Sequence, residues 1–184
     1  MIMLEKNKEV DSTRIVNCDL LLSASCMLRC KMCYLWKRPR DKDELNTEEW
    51  KGLINSLSRL IVSEPIQLHF GGGEPFLKED ILDLVQFSAQ KGFKAVVTSN
   101  GFLVDDKIAR KVSESELTHI TFSLDSLEKK VHDYLRGKND AHERVLKAIE
   151  HIYNLQKKPT IGINCLISGI NLDDVLPLAS SLVK

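Results

Sequence analysis

Short apolar runs alternate along this chain with longer segments in which apolar residues recur every three to four positions. The short runs have the length and composition of buried strands. They cover residues 15–23, 65–70, 93–98, 118–124 and 160–167. Within the first run, the sequence Leu20-Leu21-Leu22 predicts a strand that is buried on both faces.

The longer segments between these runs predict helices. In the first of them, Asn46 is placed to cap a helix with Glu49 three residues later, and apolar residues then keep a helical period up to Ile61. A second apolar period ends at Gly92, a residue type common just beyond helix ends. Further helices are predicted over residues 105–112, on either side of Gly137 and from Asn171 onward.

The alternation of strand and helix is typical of parallel βα units, and five such units fit the chain. A closed barrel of eight units needs about 250 residues, so we expect an α/β fold with an open, partial parallel (βα) barrel. The fifth strand would lie at an edge of the sheet. Because proteins usually cover such an edge, we expect more chain to follow Lys184, and we expect self-association through this strand where none does.

Composition places the chain among globular proteins. It has 184 residues, 43% of them apolar and 28% charged, which fits a single domain over residues 1–184. Lys and Arg total 26, as do Asp and Glu, so there is no overall basic field to bind nucleic acid. No stretch approaches the ~20 apolar residues of a membrane span, and charged residues interrupt the N-terminus before a signal sequence forms. We therefore expect a cytoplasmic protein with no membrane contact, whose thiols are reduced.

Three of the five cysteines follow the first predicted strand in the pattern Cys26-x3-Cys30-x2-Cys33. Three thiolates can hold three corners of a cubane iron–sulfur cluster, which leaves the fourth iron free to bind another molecule. Zinc held by these cysteines and His69 is an alternative, and three buried thiols without a metal are another. The remaining two cysteines fall inside predicted strands one and five.

Four other short motifs carry glycine or polar residues. They are GGGEP at 71–75, TSNG at 98–101, SLDS at 123–126 and RG at 136–137. The first three follow predicted strands two, three and four. The carboxyl ends of parallel strands meet at one edge, where α/β proteins bind ligands. Each motif alone also fits a tight turn or a helix cap, but together with the cysteine loop they predict one site.

With these motifs in this order, the chain resembles the radical S-adenosylmethionine (radical SAM) enzymes. The likeness rests on the cysteine loop followed by GGGEP, and then on SNG at 99–101, SLDS and RG. It extends from Ile15 to the C-terminus. The core of that family usually has six βα units, so the resemblance implies that the C-terminal part of the core is missing from this chain.

The resemblance implies two cofactors, a [4Fe-4S] cluster and S-adenosylmethionine. Cys26, Cys30 and Cys33 would ligate the cluster, and S-adenosylmethionine would bind its open iron. The resemblance also implies contacts to S-adenosylmethionine. Met32 and Ile167 would lie near the adenine, and the methionyl amino group would bind Gly72, Gly73 and Glu74. The ribose or carboxylate would contact Ser99 or Asn100 together with Ser123, and Arg136 would help to hold the carboxylate. The implied reaction is an oxidoreductase chemistry, reductive cleavage to methionine and a 5′-deoxyadenosyl radical that abstracts hydrogen from a substrate.

Partners are less defined. The resemblance leaves the substrate open between a peptide, a nucleotide and a small metabolite, and it implies a low-potential electron donor such as flavodoxin or ferredoxin. The alternative function is a non-catalytic iron–sulfur or zinc-binding module, either an electron carrier or a degenerate member of the family. A carrier fits less well, because a carrier usually has four cysteines per cluster. A nucleic-acid binder that uses the basic residues between Arg29 and Lys42 is disfavoured, because Asp41, Asp43 and Glu44 interrupt that stretch.

Overall fold

Five strands form one sheet in the structure, a computed structural model that describes residues 17–37, 44–60 and 65–182. The strands are β1 (Asn17–Ser23), β2 (Gln67–Gly72), β3 (Lys94–Ser99), β4 (Leu117–Ser123) and β5 (Thr160–Asn164). They lie in the order β1-β2-β3-β4-β5, and every neighbouring pair is parallel. This arrangement confirms the predicted α/β fold with an open parallel sheet.

Helices fill the connections between the strands, and a last helix follows β5. They are α1 (Thr47–Leu57), α2 (Ile81–Gln90), α3 (Asp106–Glu114), α4 (Lys129–Arg136), α5 (Ala141–Tyr153) and α6 (Val175–Leu182). The predicted cap is present, since Asn46 Oδ1 accepts hydrogen bonds from the backbone N–H groups of Glu48 and Glu49 at 3.0 and 3.1 Å. In the part of the chain that the structure describes, none of the helices has the length and apolar character needed to cross a membrane.

The hydrophobic core lies between the helices and one face of the sheet. Leu20, Phe70, Val97 and Ile120 are neighbours across four strands, and all four are buried. Helix residues such as Leu84 pack against this row. Burial of this apolar surface is the main term that fixes the sheet against its helices.

The opposite face of the sheet is open and largely polar. Asp19 pairs with His69 across β1 and β2, and Thr98 pairs with Thr121 across β3 and β4. Leu21 lies on this face and is 68% exposed, whereas Leu20 and Leu22 are buried. The prediction that β1 is buried on both faces is therefore wrong, because the helices cover only one side of the sheet.

The fifth strand is shorter than the sequence predicts. The ladder between β4 and β5 ends where Ser123 pairs with Asn164. Leu166 N–H then donates to Asp125 Oδ1 at 3.0 Å, which takes the chain out of the ladder. Ile167 lies beyond the strand and is 58% exposed, so its predicted place at the end of strand five is wrong.

Two other predicted ends differ from the structure or fall outside it. Helix α1 ends at Leu57, and Leu60 is exposed in the single turn that follows. Residues 15 and 16 of the first predicted strand, Ile61, and the basic residues Arg38, Arg40 and Lys42 lie outside the described residues. Within the described sheet, β1 and β5 each pair with one neighbour, so self-association through β5 stays a prediction.

Candidate active site

A cavity of about 510 Å³ lies at the carboxyl edge of the sheet, against its open face. The loop after β1, the glycine turn after β2 and the ends of β3 and β4 surround it. Most of the residues that the sequence assigns to a site line this cavity. They are Cys26, Cys30, Met32, Cys33, Gly72, Gly73, Ser99, Asn100, Ser123 and Arg136. Glu74 and Ile167 are the two assigned residues that do not line it.

The cysteine loop, residues 26–33, is fixed to its neighbours through the backbone. Arg29 N–H donates to Arg136 O at 3.2 Å, and Lys31 N–H donates to Leu135 O at 2.8 Å. From the other side, Trp36 Nε1 donates to Cys30 O at 3.1 Å. The end of α4 therefore helps to set the conformation in which the loop presents its thiols.

All three thiols of the loop line the cavity, and N–H groups point at two of them. Leu28 N–H donates to Cys26 Sγ and Leu35 N–H donates to Cys33 Sγ, both at 3.4 Å. Burial raises the pKa of the Cys26 and Cys30 thiols, and the Arg136 guanidinium partly opposes this rise in pKa at Cys30. Donors to sulfur of this kind are a usual feature of iron–sulfur sites.

The donor set fits a cluster better than a single zinc ion. His69, the conceivable fourth zinc ligand, has both ring nitrogens engaged at 2.6 Å, Nδ1 with Asp19 Oδ1 and Nε2 with Thr98 Oγ1. Across the described ranges of the chain, no three His, Cys, Asp or Glu side chains converge on a point where one ion would bind. In a cubane cluster each iron takes one thiolate, so the three thiols need not converge.

The glycine turn is hydrogen-bonded to the residues just before the cysteine loop. Gly73 N–H donates to Ser23 O at 2.7 Å, and Glu74 N–H donates to Ser25 O at 2.8 Å. A Cβ at Gly73 would overlap the Ser25 carbonyl oxygen. Gly71 differs, because a Cβ there would meet only His69 Cε1, at 3.8 Å. Glycine at 73 therefore permits close approach of two protein backbones, a role that the sequence did not indicate.

The side chain of Glu74 points into the protein, where it is 2% exposed. Its Oε1 accepts hydrogen bonds from Ser99 Oγ at 2.8 Å and Phe76 N–H at 3.2 Å, and its Oε2 accepts one from Asn100 N–H at 2.8 Å. Burial raises the pKa of Glu74 to about 7 in spite of these three donors. The carboxyl group thus ties the glycine turn to the turn after β3, and only the backbone of Glu74 is left for a ligand.

The polar side-chain groups of Asn100 and Arg136 also bind other residues of the protein. Asn100 Nδ2 donates to Cys26 Sγ at 3.6 Å. Arg136 Nη2 donates to Asp125 Oδ1 at 2.7 Å, and its Nε lies 2.7 Å from Asp125 Oδ2. Asp125 is fully buried, so this is an ion pair inside the protein, with one hydrogen bond between its two members. Direct contact of either residue with S-adenosylmethionine stays a prediction.

The structure adds site residues that sequence reasoning missed. Asp19, His69 and Thr98 form a hydrogen-bonded row on the open face and line the cavity together with Leu21 and Trp36. A signal was available in the sequence, since Asp19 and His69 are ionisable residues inside strands whose other residues are mostly apolar. Such positions are costly to bury and therefore indicate a face that is open to water or to a ligand.

Comparison with known proteins gives a family for the chain. A model described as the Radical SAM superfamily matches residues 20–182. Fe-coproporphyrin III synthase of Methanosarcina barkeri is 31% identical over 156 residues, which is 84% of this chain and 37% of that protein. Mycofactocin maturase MftC of Mycolicibacterium smegmatis is 29% identical over 72% of this chain and 33% of its own length. PqqA peptide cyclase of Bradyrhizobium diazoefficiens is 27% identical over 87% of this chain and 42% of its own length.

Solved structures share the fold. Streptococcus suis SuiB bound to S-adenosylmethionine aligns with a TM-score of 0.76 and 21% identity over 90% of this chain and 37% of that one. Native anSMEcpe with bound AdoMet aligns with a TM-score of 0.72 and 19% identity over 91% of this chain and 48% of that one. The chain thus spans less than half the length of each of these five proteins.

Proposed function

Because this chain belongs to the radical SAM superfamily, we propose that it holds a [4Fe-4S] cluster and S-adenosylmethionine in the cavity at the carboxyl edge of the sheet. We further propose that it cleaves S-adenosylmethionine reductively and so abstracts hydrogen from a substrate. The observation that carries the proposal is the convergence of Cys26, Cys30 and Cys33 with Gly72 and Gly73 on one cavity of about 510 Å³. Three thiolates leave one iron of a cubane cluster without a protein ligand.

When bound, the cluster supplies an electron to the sulfonium of S-adenosylmethionine, which yields methionine and a 5′-deoxyadenosyl radical. The three cysteines would hold three of the irons as thiolates. Asn100 Nδ2 and the backbone N–H groups of Leu28 and Leu35 stabilise the negative charge on these sulfurs. Met32 and Trp36 contribute apolar surface to the cavity wall, which limits the access of water to reactive species.

We place the methionyl amino group of S-adenosylmethionine at the backbone of the glycine turn. The turn is rigid because its N–H groups donate to the residues just before the cysteine loop and its Glu74 carboxyl accepts hydrogen bonds from Ser99 and Asn100. Backbone carbonyls held in this way are acceptors that need no rearrangement when an ammonium group arrives. Ser123 at the end of β4 lines the same cavity and offers a hydroxyl to the ribose or carboxylate.

The substrate is proposed to bind against the open face of the sheet, below the cofactor. The names of the relatives refer to a porphyrin and to a peptide, so family membership alone leaves the substrate class undefined. Asp19, His69 and Thr98 give this face a row of hydrogen-bonding groups. Leu21 beside them is 68% exposed and supplies apolar contact. A substrate with both polar and apolar parts suits this surface.

The proposal is tested on the anaerobically reconstituted chain. We expect about four irons per chain, and we expect 5′-deoxyadenosine to form when dithionite and S-adenosylmethionine are added, as measured by chromatography. Cys30→Ala should lose the iron and the product, whereas Cys18→Ala and Cys165→Ala should keep both, since those thiols lie outside the cysteine loop. Stoichiometric zinc without iron, or equal product from Cys30→Ala, would contradict the proposal.

A further inference from the structure

Three polar side chains form a continuous row across the open face of the sheet. Asp19 Oδ1 lies 2.6 Å from His69 Nδ1, and His69 Nε2 lies 2.6 Å from Thr98 Oγ1. The three residues belong to β1, β2 and β3, and all of them line the cavity of the candidate site. None of the contacts assigned to the cluster or to S-adenosylmethionine uses these side chains, so the row is free to serve another ligand.

The two hydrogen bonds of the row fix what Thr98 presents to the cavity. A carboxylate can accept but not donate, so the hydrogen of the neutral His69 ring lies on Nδ1 and points at Asp19. Nε2 is then an acceptor, and the Thr98 hydroxyl donates its single hydrogen to it. Lone pairs of Thr98 Oγ1 are left for a ligand, and a ligand group bound there has to supply a hydrogen.

The charge of the row favours a cation. Apart from the thiols and His69, the ionisable side chains that line the cavity are those of Asp19 and Arg136. Arg136 is neutralised by the buried Asp125, whose Oδ2 lies 2.7 Å from Arg136 Nε. The Asp19 side chain is 63% exposed, and its partner in the described part of the chain is His69. With a neutral ring as partner, the row keeps one full negative charge, which attracts a cation and repels an anion.

Apolar surface and free space lie beside the row. Leu21 follows Asp19 by two positions on β1, so both side chains are on the same face of the sheet. Leu21 is 68% exposed, and its neighbour across the ladder is Gly71, which has no side chain. A Cβ at Gly71 would meet nothing closer than His69 Cε1, at 3.8 Å. The space above Gly71 therefore has room for the carbon skeleton of a ligand.

We propose that Thr98 Oγ1 binds a protonated primary amine of the substrate, and that Asp19 and His69 are positioning residues that keep this oxygen an acceptor. The inference rests on the proposed function, because the substrate has to react in the cavity of the cofactors. It narrows the substrate to compounds that carry a primary ammonium group on an apolar skeleton. A carboxylate or phosphate has no hydrogen to offer to Thr98 and would be repelled by Asp19.

A second histidine on the open face supplies a matched control. His119 Nε2 lies 3.1 Å from Thr121 Oγ1 on β4, which repeats the pair of His69 and Thr98. In the described ranges, the histidines that pair with a carboxylate are His69 and His151. Neither His119 nor Thr121 lines the cavity. His119→Asn therefore alters a similar pair and leaves the row intact.

The experiment compares the binding of three cyclohexyl probes. Cyclohexylammonium carries charge and donor hydrogens, N,N,N-trimethylcyclohexylammonium keeps the charge without a hydrogen to donate, and cyclohexanecarboxylate reverses the charge. Binding is followed by NMR through the ring signals of His69, which are identified by their loss in His69→Gln. Titrations at about pH 8, where a free imidazole is neutral, use the chain alone and the reconstituted chain saturated with S-adenosylmethionine, in which the glycine turn is occupied.

We expect cyclohexylammonium to bind about fivefold or more tightly than either other probe, the effect of one net hydrogen bond. Thr98→Val keeps the shape but removes the acceptor, so it should lose this preference, and Thr98→Ser should retain it. Asp19→Asn should weaken the preference, because an amide can also donate and no longer fixes the ring hydrogen on Nδ1. His119→Asn should bind all three probes as the unaltered chain does. The nitrogen shifts of His69 should show an unprotonated Nε2.

Equal affinities for the three probes, or a preference that survives in Thr98→Val, would overturn the inference. Tighter binding of cyclohexanecarboxylate would also overturn it and show that Thr98 turns its hydrogen toward the cavity. The iron content and the 5′-deoxyadenosine yield of the unaltered, reconstituted chain are measured in the same series. Loss of these would refute the proposed function, and with it the assignment of the amine to a substrate, whatever the probe affinities are.

Discussion

Ser99 Oγ donates a hydrogen bond to Glu74 Oε1 at 2.8 Å, and both side chains are buried. The two residues follow different strands, Glu74 after β2 and Ser99 at the end of β3. Their contact, together with the Asn100 N–H bond to Glu74 Oε2, makes one unit of two motifs that are separate in the sequence. The rigidity of the candidate cofactor site therefore depends on a carboxyl group that lies outside its cavity.

Glu74 should make the stability of the protein depend on pH. Its pKa in the folded chain is about 7, above the usual 4.5, so the folded state binds this proton more tightly than the unfolded state. The contribution to stability is therefore fully present below pH 4.5 and is lost as the pH rises to about 7. Relative to Glu74→Gln, we expect the unaltered chain to lose roughly 3 kcal/mol of unfolding free energy over this range. Urea unfolding at several pH values measures the difference, and parallel pH profiles would contradict it.

His132 should give the opposite dependence. It is buried, and burial together with the nearby Arg136 charge lowers its pKa to about 4. Its Nδ1 accepts a hydrogen bond from Asp125 N–H at 3.2 Å, which requires the neutral ring. The stability that this neutral ring contributes is present above pH 6.5 and is lost as the pH falls through about 4.

The matched variant is His132→Asn, which keeps an acceptor near the position of Nδ1. Relative to it, the unaltered chain should lose roughly 3 kcal/mol between pH 6.5 and 4. Because the Glu74 and His132 effects have opposite signs in overlapping ranges, they partly cancel in the unaltered protein. Compared with the unaltered protein, Glu74→Gln should therefore make stability rise more steeply with pH, and His132→Asn should make it rise less steeply. Slopes that change in the same direction in both variants would contradict both assignments.

Gly71 and Gly73 should respond very differently to alanine. At Gly73 the new Cβ overlaps the Ser25 carbonyl oxygen, so the glycine turn and the cysteine loop must move apart. We expect Gly73→Ala to lower the unfolding free energy by about 1–3 kcal/mol and to retain less iron after reconstitution. Gly71→Ala meets nothing closer than 3.8 Å and should fold with normal stability. Equal iron content and equal thermal stability of the two variants would show that the turn does not position the loop.

The Asp125–Arg136 pair offers a test by double-mutant cycle. Arg136→Met leaves the fully buried carboxylate of Asp125 without its partner and should cost about 3–5 kcal/mol. Adding Asp125→Asn removes the buried charge, so the double variant should be more stable than Arg136→Met alone. Urea denaturation of the four proteins gives the coupling energy. Additive losses would mean that Asp125 does not depend on Arg136 for its charge.

The sequence determined the order and type of the elements in this protein. Strand and helix periods, the cap at Asn46 and the glycine at 137 are local properties, because each depends on the backbone and side chains of a few neighbouring residues. The sequence also predicted that the cysteine loop meets the turns after β2 and β3, since the ends of parallel strands share one edge of a sheet.

Only the tertiary structure decided where individual side chains point. It placed Leu21 on an open face, because the helices cover one side of the sheet. It turned the Glu74 carboxyl inward and used Arg136 to neutralise Asp125, since a buried charge must find its partners wherever the fold brings them. Asp19, His69 and Thr98 lie on three different strands, so their row of hydrogen bonds exists only once the strands are in register. Contacts between distant segments depend on packing of the whole chain, which no local pattern of residues records.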